Sequence, residues 1–184
     1  MKDITSVTIV LSAGHSDDEG RFDHGRIVNS FSEFDISRYY YCKIVEKLEE
    51  YKIHVKVLPT LNPPGIKKSN RIDFIDKGTF VLSLGVGTME KPKTANISKV
   101  YHGPRCGKIA KLLAEELAIW GKNTNYDHIS GGAKDSDLDL IRANGVHIEP
   151  FALNGSNVPY YVARLDALSQ AISVCLVAYL QNND

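Results

Sequence analysis

Cysteine is scarce in this chain of 184 residues, and the three present, Cys42, Cys106 and Cys175, are far apart and contain no Cys-x-x-Cys pair. Neither a disulfide framework nor a thiolate zinc knuckle is therefore indicated, and folding in a reducing compartment fits best. An excess of charge of one sign is also missing. Lys plus Arg and Asp plus Glu number 22 each, which leaves no basic field to draw in nucleic acid or anionic lipid. No run approaches the ~20 uninterrupted apolar residues of a membrane span. The start, Met1-Lys2-Asp3, leads into a run that reads as part of the fold and has no signal-peptide cleavage site. The expectation is a protein that is cytoplasmic as synthesised, with no nucleic-acid partner and no membrane partner. Nothing in the sequence specifies an oligomeric state.

The chain has the length of one domain, residues 1–184, and a chain of this size buries about 70% of its unfolded surface. Strands and helices alternate along it. Residues 6–12 read as a buried strand and 17–29 as a long loop. A helix is expected from Ser32, with Ser32 as N-cap and Glu33 and Asp35 in its first turn, where carboxylates suit the helix dipole. Its apolar residues, among them Phe34, Tyr40, Tyr41, Ile44 and Leu48, recur mostly three or four apart. Strands follow at 53–58 and 79–84, separated by a turn at Asn62-Pro63-Pro64-Gly65 and a short helix over 69–77 that carries Arg71. Residues 85–97 read as a loop, Val100-Tyr101-His102 as the end of another strand, and Pro104 as the start of a helix running to Trp120. A polar loop, a short helix over 135–143, a strand over 146–151 and a closing helix over 160–180 complete the pattern. It predicts an α/β domain, a three-layer αβα sandwich on a mostly parallel sheet, with ligands gathered at the strand C-termini.

Three residues fall where such a fold collects functional groups. His15 ends the apolar run Val7-Thr8-Ile9-Val10-Leu11 after Ser12-Ala13-Gly14, Glu33 opens the first long helix, and Glu149 lies within Val146-His147-Ile148-Glu149-Pro150-Phe151. An imidazole and a carboxylate make half a zinc site, and a separate carboxylate can take a proton from metal-bound water. Taken singly, His15 and Glu33 are more simply read as a loop histidine and a helix N-terminal carboxylate. Glu149 is more pointed, because an unpaired charge in an apolar strand is costly.

The order of these motifs resembles the zinc-dependent N-acetylmuramoyl-L-alanine amidases of the Amidase_3 type. Val10-Leu11-Ser12-Ala13-Gly14-His15 is similar to that family's strand ending in Gly-His, and Glu33-Phe34-Asp35-Ile36 to its Glu-led first helix. Ser69-Asn70-Arg71-Ile72-Asp73-Phe74-Ile75 resembles the Arg-bearing helix before the next strand, and Val81-Leu82-Ser83-Leu84 the strand ending in Ser-Ile-His. The segment 146–151 resembles the late strand with the catalytic Glu, and Asn154 follows in the family's manner. The resemblance implies a phosphorylase/hydrolase-like fold and zinc held by His15 and Glu33. It further implies Glu149 as catalytic base, Arg71 and Asn154 in substrate contact, and hydrolysis of peptidoglycan or muropeptides by a zinc-activated water. Family members without a signal peptide, such as phage endolysins, act at the cell wall after release.

The departure is Gly85, which stands where the family's third zinc ligand, a His, is expected. His147, two residues before Glu149 and on the same strand face, is one substitute, and His102 and His24 are rivals. The alternative is a catalytically degenerate amidase-fold protein that binds or builds rather than hydrolyses. A different metal or substrate on the same fold is a third reading. Other features have plainer readings. Gly85-Val86-Gly87-Thr88 lacks the Gly-Lys-Ser/Thr of a phosphate loop, Asp135, Asp137 and Asp139 read as a solvated helix start, and Gly131-Gly132 as a turn. Tyr39-Tyr40-Tyr41 reads as helix packing, whereas Tyr160-Tyr161 near Asn154 is placed to flank a glycopeptide groove. Cys106, beside Arg105 at a helix start, is the thiol best placed for a lowered pKa, and the cysteines otherwise read as core or surface thiols.

Overall fold

The computed structural model describes residues 7–11, 25–57, 80–88, 95–122, 128–135 and 144–182. Eight strands and four helices lie among them: β1 (Val7–Leu11), β2 (Ile27–Val28), β3 (Phe31–Ser32), α1 (Glu33–Glu50), β4 (Val55–Val57), β5 (Phe80–Leu84), β6 (Asn96–His102), α2 (Gly107–Lys122), β7 (His128–Asp135), β8 (Gly145–Glu149), α3 (Val158–Val162) and α4 (Leu165–Asn182). Six strands form one sheet in the order β4-β1-β5-β8-β6-β7, and β2 pairs with β3 in a small separate ladder. The β4, β1, β5 and β8 strands run parallel. Next to them β6 is antiparallel to β8, and β7 follows β6 in parallel. The fold is α/β as expected, on a mixed sheet.

Local chemistry explains the elements that hold the site. The Ser32 side chain accepts from Asp35 N at 3.3 Å, so the predicted N-cap starts α1 directly at Glu33. At the other end Lys52 takes a left-handed φ of 58°, and Lys52 N→Glu49 O (2.8 Å) with Ile53 N→Leu48 O (3.0 Å) closes the last turn. This is a Schellman ending, with Ile53 returning to the core beside Leu48. Every β5 residue is buried, as a central strand between β1 and β8 requires. The α4 helix packs against both α1 and α2, and Ile44, Leu48, Ile109, Leu113, Leu117, Leu168, Ile172 and Leu176 fill the core with no exposure.

Several sequence expectations are corrected. The polar stretch before Asp135 contains β7, whose Gly131-Gly132 is a break in strand register rather than a turn. That stretch lacks alternation, and pairing to β6 supplies what local pattern does not. Asp135 accordingly ends β7 instead of opening a helix, and Asp137 and Asp139 lie outside the described residues. The expected loop up to Asn29 contains β2, and the loop up to Ile97 gives way to β6 at Asn96. The closing helix is divided into α3 and α4. The short helix over 69–77 lies outside the described residues.

Candidate active site

Strand register places two polar rows across β5, β8 and β6. Ser83 pairs with His147, which pairs with Tyr101, and Lys99 pairs with Glu149 one step nearer the C-terminal end of β8. Gly85 falls opposite Glu149 on the other side, its N–H donating to Ile148 O at 3.0 Å. Because side chains alternate along strands, Ser83, His147 and Glu149 share one face. The β6–β7 register shifts across Lys99, opposite Gly131-Gly132, and such irregularities re-aim side chains beside functional sites.

Glu149 is the centre of this array. Its Oε1 lies 3.5 Å from His147 Nε2 and its Oε2 lies 3.2 Å from Lys99 Nζ. The ammonium approaches at ion-pair distance but leaves the buried Oε2 without a properly directed hydrogen bond. Burial, the largest influence, pushes the carboxyl upward. The hydrogen bond and charge of His147 and the charge of Lys99 outweigh it and hold Glu149 below the usual carboxylate range. The Lys99 ammonium is in turn raised, because pairing with Glu149 overcomes the downward pull of burial. Beneath the carboxylate lies Gly87, where a Cβ would overlap Glu149 Oε2. On the far side of the imidazole, Ser83 Oγ is 2.9 Å from His147 Nδ1. Ser83, His147 and Glu149 thus form a line that imitates a nucleophilic triad. Ser83 is only 2% exposed within β5, however, so its hydroxyl orients the imidazole and meets no substrate.

Glu33 forms the other side of the site. Its Oε2 accepts from Arg26 N at 3.1 Å, and Gly25, at φ +69°, leaves room where a Cβ would stand 2.6 Å from the same oxygen. Tyr40 lies on α1 with its side chain fully buried and donates its hydroxyl to Gly85 O at 2.7 Å. Burial chiefly, then the charges of Glu149 and Glu33, raise this phenol well above its ordinary value. Tyr40 is therefore a neutral donor within electrostatic reach of both carboxylates.

Of the predicted site residues, Glu33, Glu149 and His147 are brought to this region. His15, His24 and Arg71 lie outside the described residues. His102 is separated from it, because β6 runs antiparallel to β8 and pairs His102 with Val146, toward the opposite end from Glu149. Its Nδ1 lies 2.8 Å from Gly103 O. As a spare metal ligand His147 is poorly placed, since Ser83 and Glu149 engage both ring nitrogens. Among the described residues no group of three His, Cys, Asp or Glu side chains is disposed to hold a metal. Glu33 fits the carboxylate half of such a site, and Gly85 supplies no side-chain donor.

Asn154 lies on the turn after β8, partly buried. Tyr161 does not line a groove, because it is fully buried and stacked on Phe151 at 5.4 Å, while Tyr160 is covered by Arg164 at 3.6 Å. Tyr40 and Tyr41 pack in the core as expected. Burial pushes the Cys106 thiol up to about 11, which removes it as a nucleophile at neutral pH. The sequence reading gave Lys99 and Arg26 no role and took Tyr40 as packing, Ser83 as part of a strand and Gly87 as loop, so none of the five was placed at the site. Only Lys99 had a local signal, as a charge in a strand.

Comparison with known proteins gives no matching family model and no curated protein of significant sequence similarity. Solved structures do match. N-acetylmuramoyl-L-alanine amidase AmiC2 of Nostoc punctiforme superposes with a TM-score of 0.78 at 14% identity, covering 97% of this chain and 98% of that one. The N-acetylmuramoyl-L-alanine amidase of Clostridium difficile 630 gives 0.78 at 15% identity, with 100% of both chains covered. The catalytic domain of the CD27L endolysin targeting Clostridia difficile gives 0.71 at 16% identity, covering 95% and 97%. The chain therefore has the fold of these amidases across nearly its whole length.

Proposed function

We propose that this chain acts on peptidoglycan or its muropeptide fragments, at the amide joining N-acetylmuramic acid to the L-alanine of the stem peptide. The observation that supports this best is Glu149, a carboxylate held ionised at the C-terminal end of a central strand, in a fold shared with peptidoglycan amidases. An ionised carboxylate so placed accepts a proton from an attacking water and returns it to the leaving amine. Lys99 and His147 keep it anionic and fixed, and Tyr40 remains a donor only. In this reading His15 and Glu33 hold zinc, and Arg71 and Asn154 contact the substrate. A bound zinc supplies Lewis-acid polarisation of the scissile carbonyl and an acidified water. In this reading its site of action is the cell wall.

Gly85 favours a second reading, in which the fold is retained for binding. A hydrolytic zinc normally has three protein ligands, and here Gly85 offers only a carbonyl that already accepts from Tyr40. One experiment separates the two. The purified protein is loaded with zinc, dialysed exhaustively and assayed both for metal and for new L-alanine amino termini released from peptidoglycan, with His15→Ala and Glu149→Gln as controls. The hydrolase reading expects stoichiometric zinc that His15→Ala abolishes, and release that Glu149→Gln lowers about 100-fold or more. Absence of both zinc and release would overturn the hydrolase reading and leave the binding one.

A further inference from the structure

Arg26 touches both sides of the candidate site with different parts of one residue. Its backbone N–H donates to Glu33 Oε2 at 3.1 Å, and its carbonyl accepts from Glu33 N at 2.9 Å. Its guanidinium Nη1 donates to Thr88 Oγ1 at 2.7 Å, across 62 positions of sequence. Thr88 follows Gly87, the residue on which the Glu149 carboxylate rests. Gly87 is itself tied to the turn after Glu149, by Gly87 N→Phe151 O at 3.1 Å and Leu153 N→Gly87 O at 2.9 Å. Before Arg26 stands Gly25, packed in the same way against Glu33. Each carboxylate thus has a glycine seat, and a charge-assisted hydrogen bond between Arg26 and Thr88 joins the segments that carry the two seats.

We propose that Arg26, acting through Thr88, is a positioning residue that fixes the separation of the Glu33 and Glu149 carboxylates. The backbones of α1 and β8 set where the two residues start, but long carboxylate side chains have several rotamers, and the seats select among them. The short β2–β3 ladder beside Arg26 is too small to be stable alone, so contacts outside it must hold the Gly25–Arg26 segment. A misplacement of about 1 Å between groups that act together costs on the order of 100-fold in rate. This catalytic consequence rests on the hydrolase reading, whereas the mechanical link does not.

The test uses the whole chain and two readouts. Hydrogen exchange by mass spectrometry is compared for the wild type, Thr88→Val, Arg26→Met, which removes the side-chain donors, the double variant and Arg26→Lys, which keeps a charged donor group. The link predicts faster exchange in both 25–33 and 86–88 for either single variant, no further increase in the double, and recovery in Arg26→Lys. Changes confined to the substituted segment, or adding in the double variant, overturn it. If the wild type releases L-alanine amino termini, Thr88→Val is expected to lower kcat about 10- to 100-fold with KM within about twofold. An unchanged kcat overturns the positioning role. A wild type that releases nothing overturns the hydrolase reading alone, and exchange then decides on the link.

Discussion

Glu149 shows how much of a functional group's character comes from what stands beside it. Its oxygens meet His147, Lys99 and the bare Cα of Gly87, and only the first was visible in the sequence, through its spacing of two. Lys99 escaped because its neighbour on the sheet is set by an antiparallel pairing that joins residues 50 positions apart (149 minus 99). Gly87 escaped because a missing side chain matters only once something is packed against it. Its importance gives a prediction. Gly87→Ala puts a methyl group into Glu149 Oε2 and should cost about 1–3 kcal/mol of stability, as overpacking does. In a Glu149→Ala background, measured against Glu149→Ala itself, the same substitution should cost little, because the oxygen it meets is gone. Denaturant midpoints of the two single variants and the double check this, and a Gly87→Ala protein as stable as the wild type refutes the packing argument.

Among elements, β6 and the turn after β8 depend on one buried amide. Asn96 has no exposure, donates to Ser156 O at 2.8 Å and Ala152 O at 3.3 Å, and accepts from Ala152 N and Ile97 N at 2.8 Å each. The turn carrying Asn154 is therefore held to the start of β6, and Gly155 is needed where a Cβ would stand 2.6 Å from the Asn96 amide nitrogen. Asn96→Asp replaces the two-way donor with an oxygen facing two carbonyls. A loss of about 2–4 kcal/mol is expected, since the buried acceptors lose their partners while repulsion is added. Chemical denaturation at neutral pH measures it, and a loss under about 0.5 kcal/mol means that other contacts hold the turn. The sequence reading began its strand too late to include Asn96, whose polarity reads as loop unless its partners are known. It did identify α1 correctly, because Ser32, the acidic first turn and the spacing of apolar residues all lie within that one helix.

For the whole molecule, equal charge counts leave no net field near neutrality, and as acid protonates the carboxylates the net positive charge grows while individual ion pairs are lost. Glu149 is one such pair member. Its native pKa lies below its unfolded one, so the unfolded chain binds the proton first as pH falls. Its contribution is complete above the ordinary Glu range, about 4.3, and is lost as pH drops through the native value. Urea midpoints should fall through this acid window, and Glu149→Gln should flatten that part of the curve while leaving its shape above neutrality unchanged. An acid limb identical in the variant would show that other carboxylates carry it.

The sequence by itself determined what is local or additive: the α/β class, the cap and buried face of α1, the buried strand β5, and the placing of His147 and Glu149 on one strand face. These follow from capping, periodicity and composition, which act between residues close in the chain. Tertiary structure alone decided the direction of β6 and the existence of β7. It also brought Lys99 beside Glu149, aimed the Tyr40 hydroxyl at Gly85 and joined Arg26 to Thr88. Those arrangements depend on strand register and on packing between distant segments, and the free energy that selects them appears only when the sheet and its helices have come together.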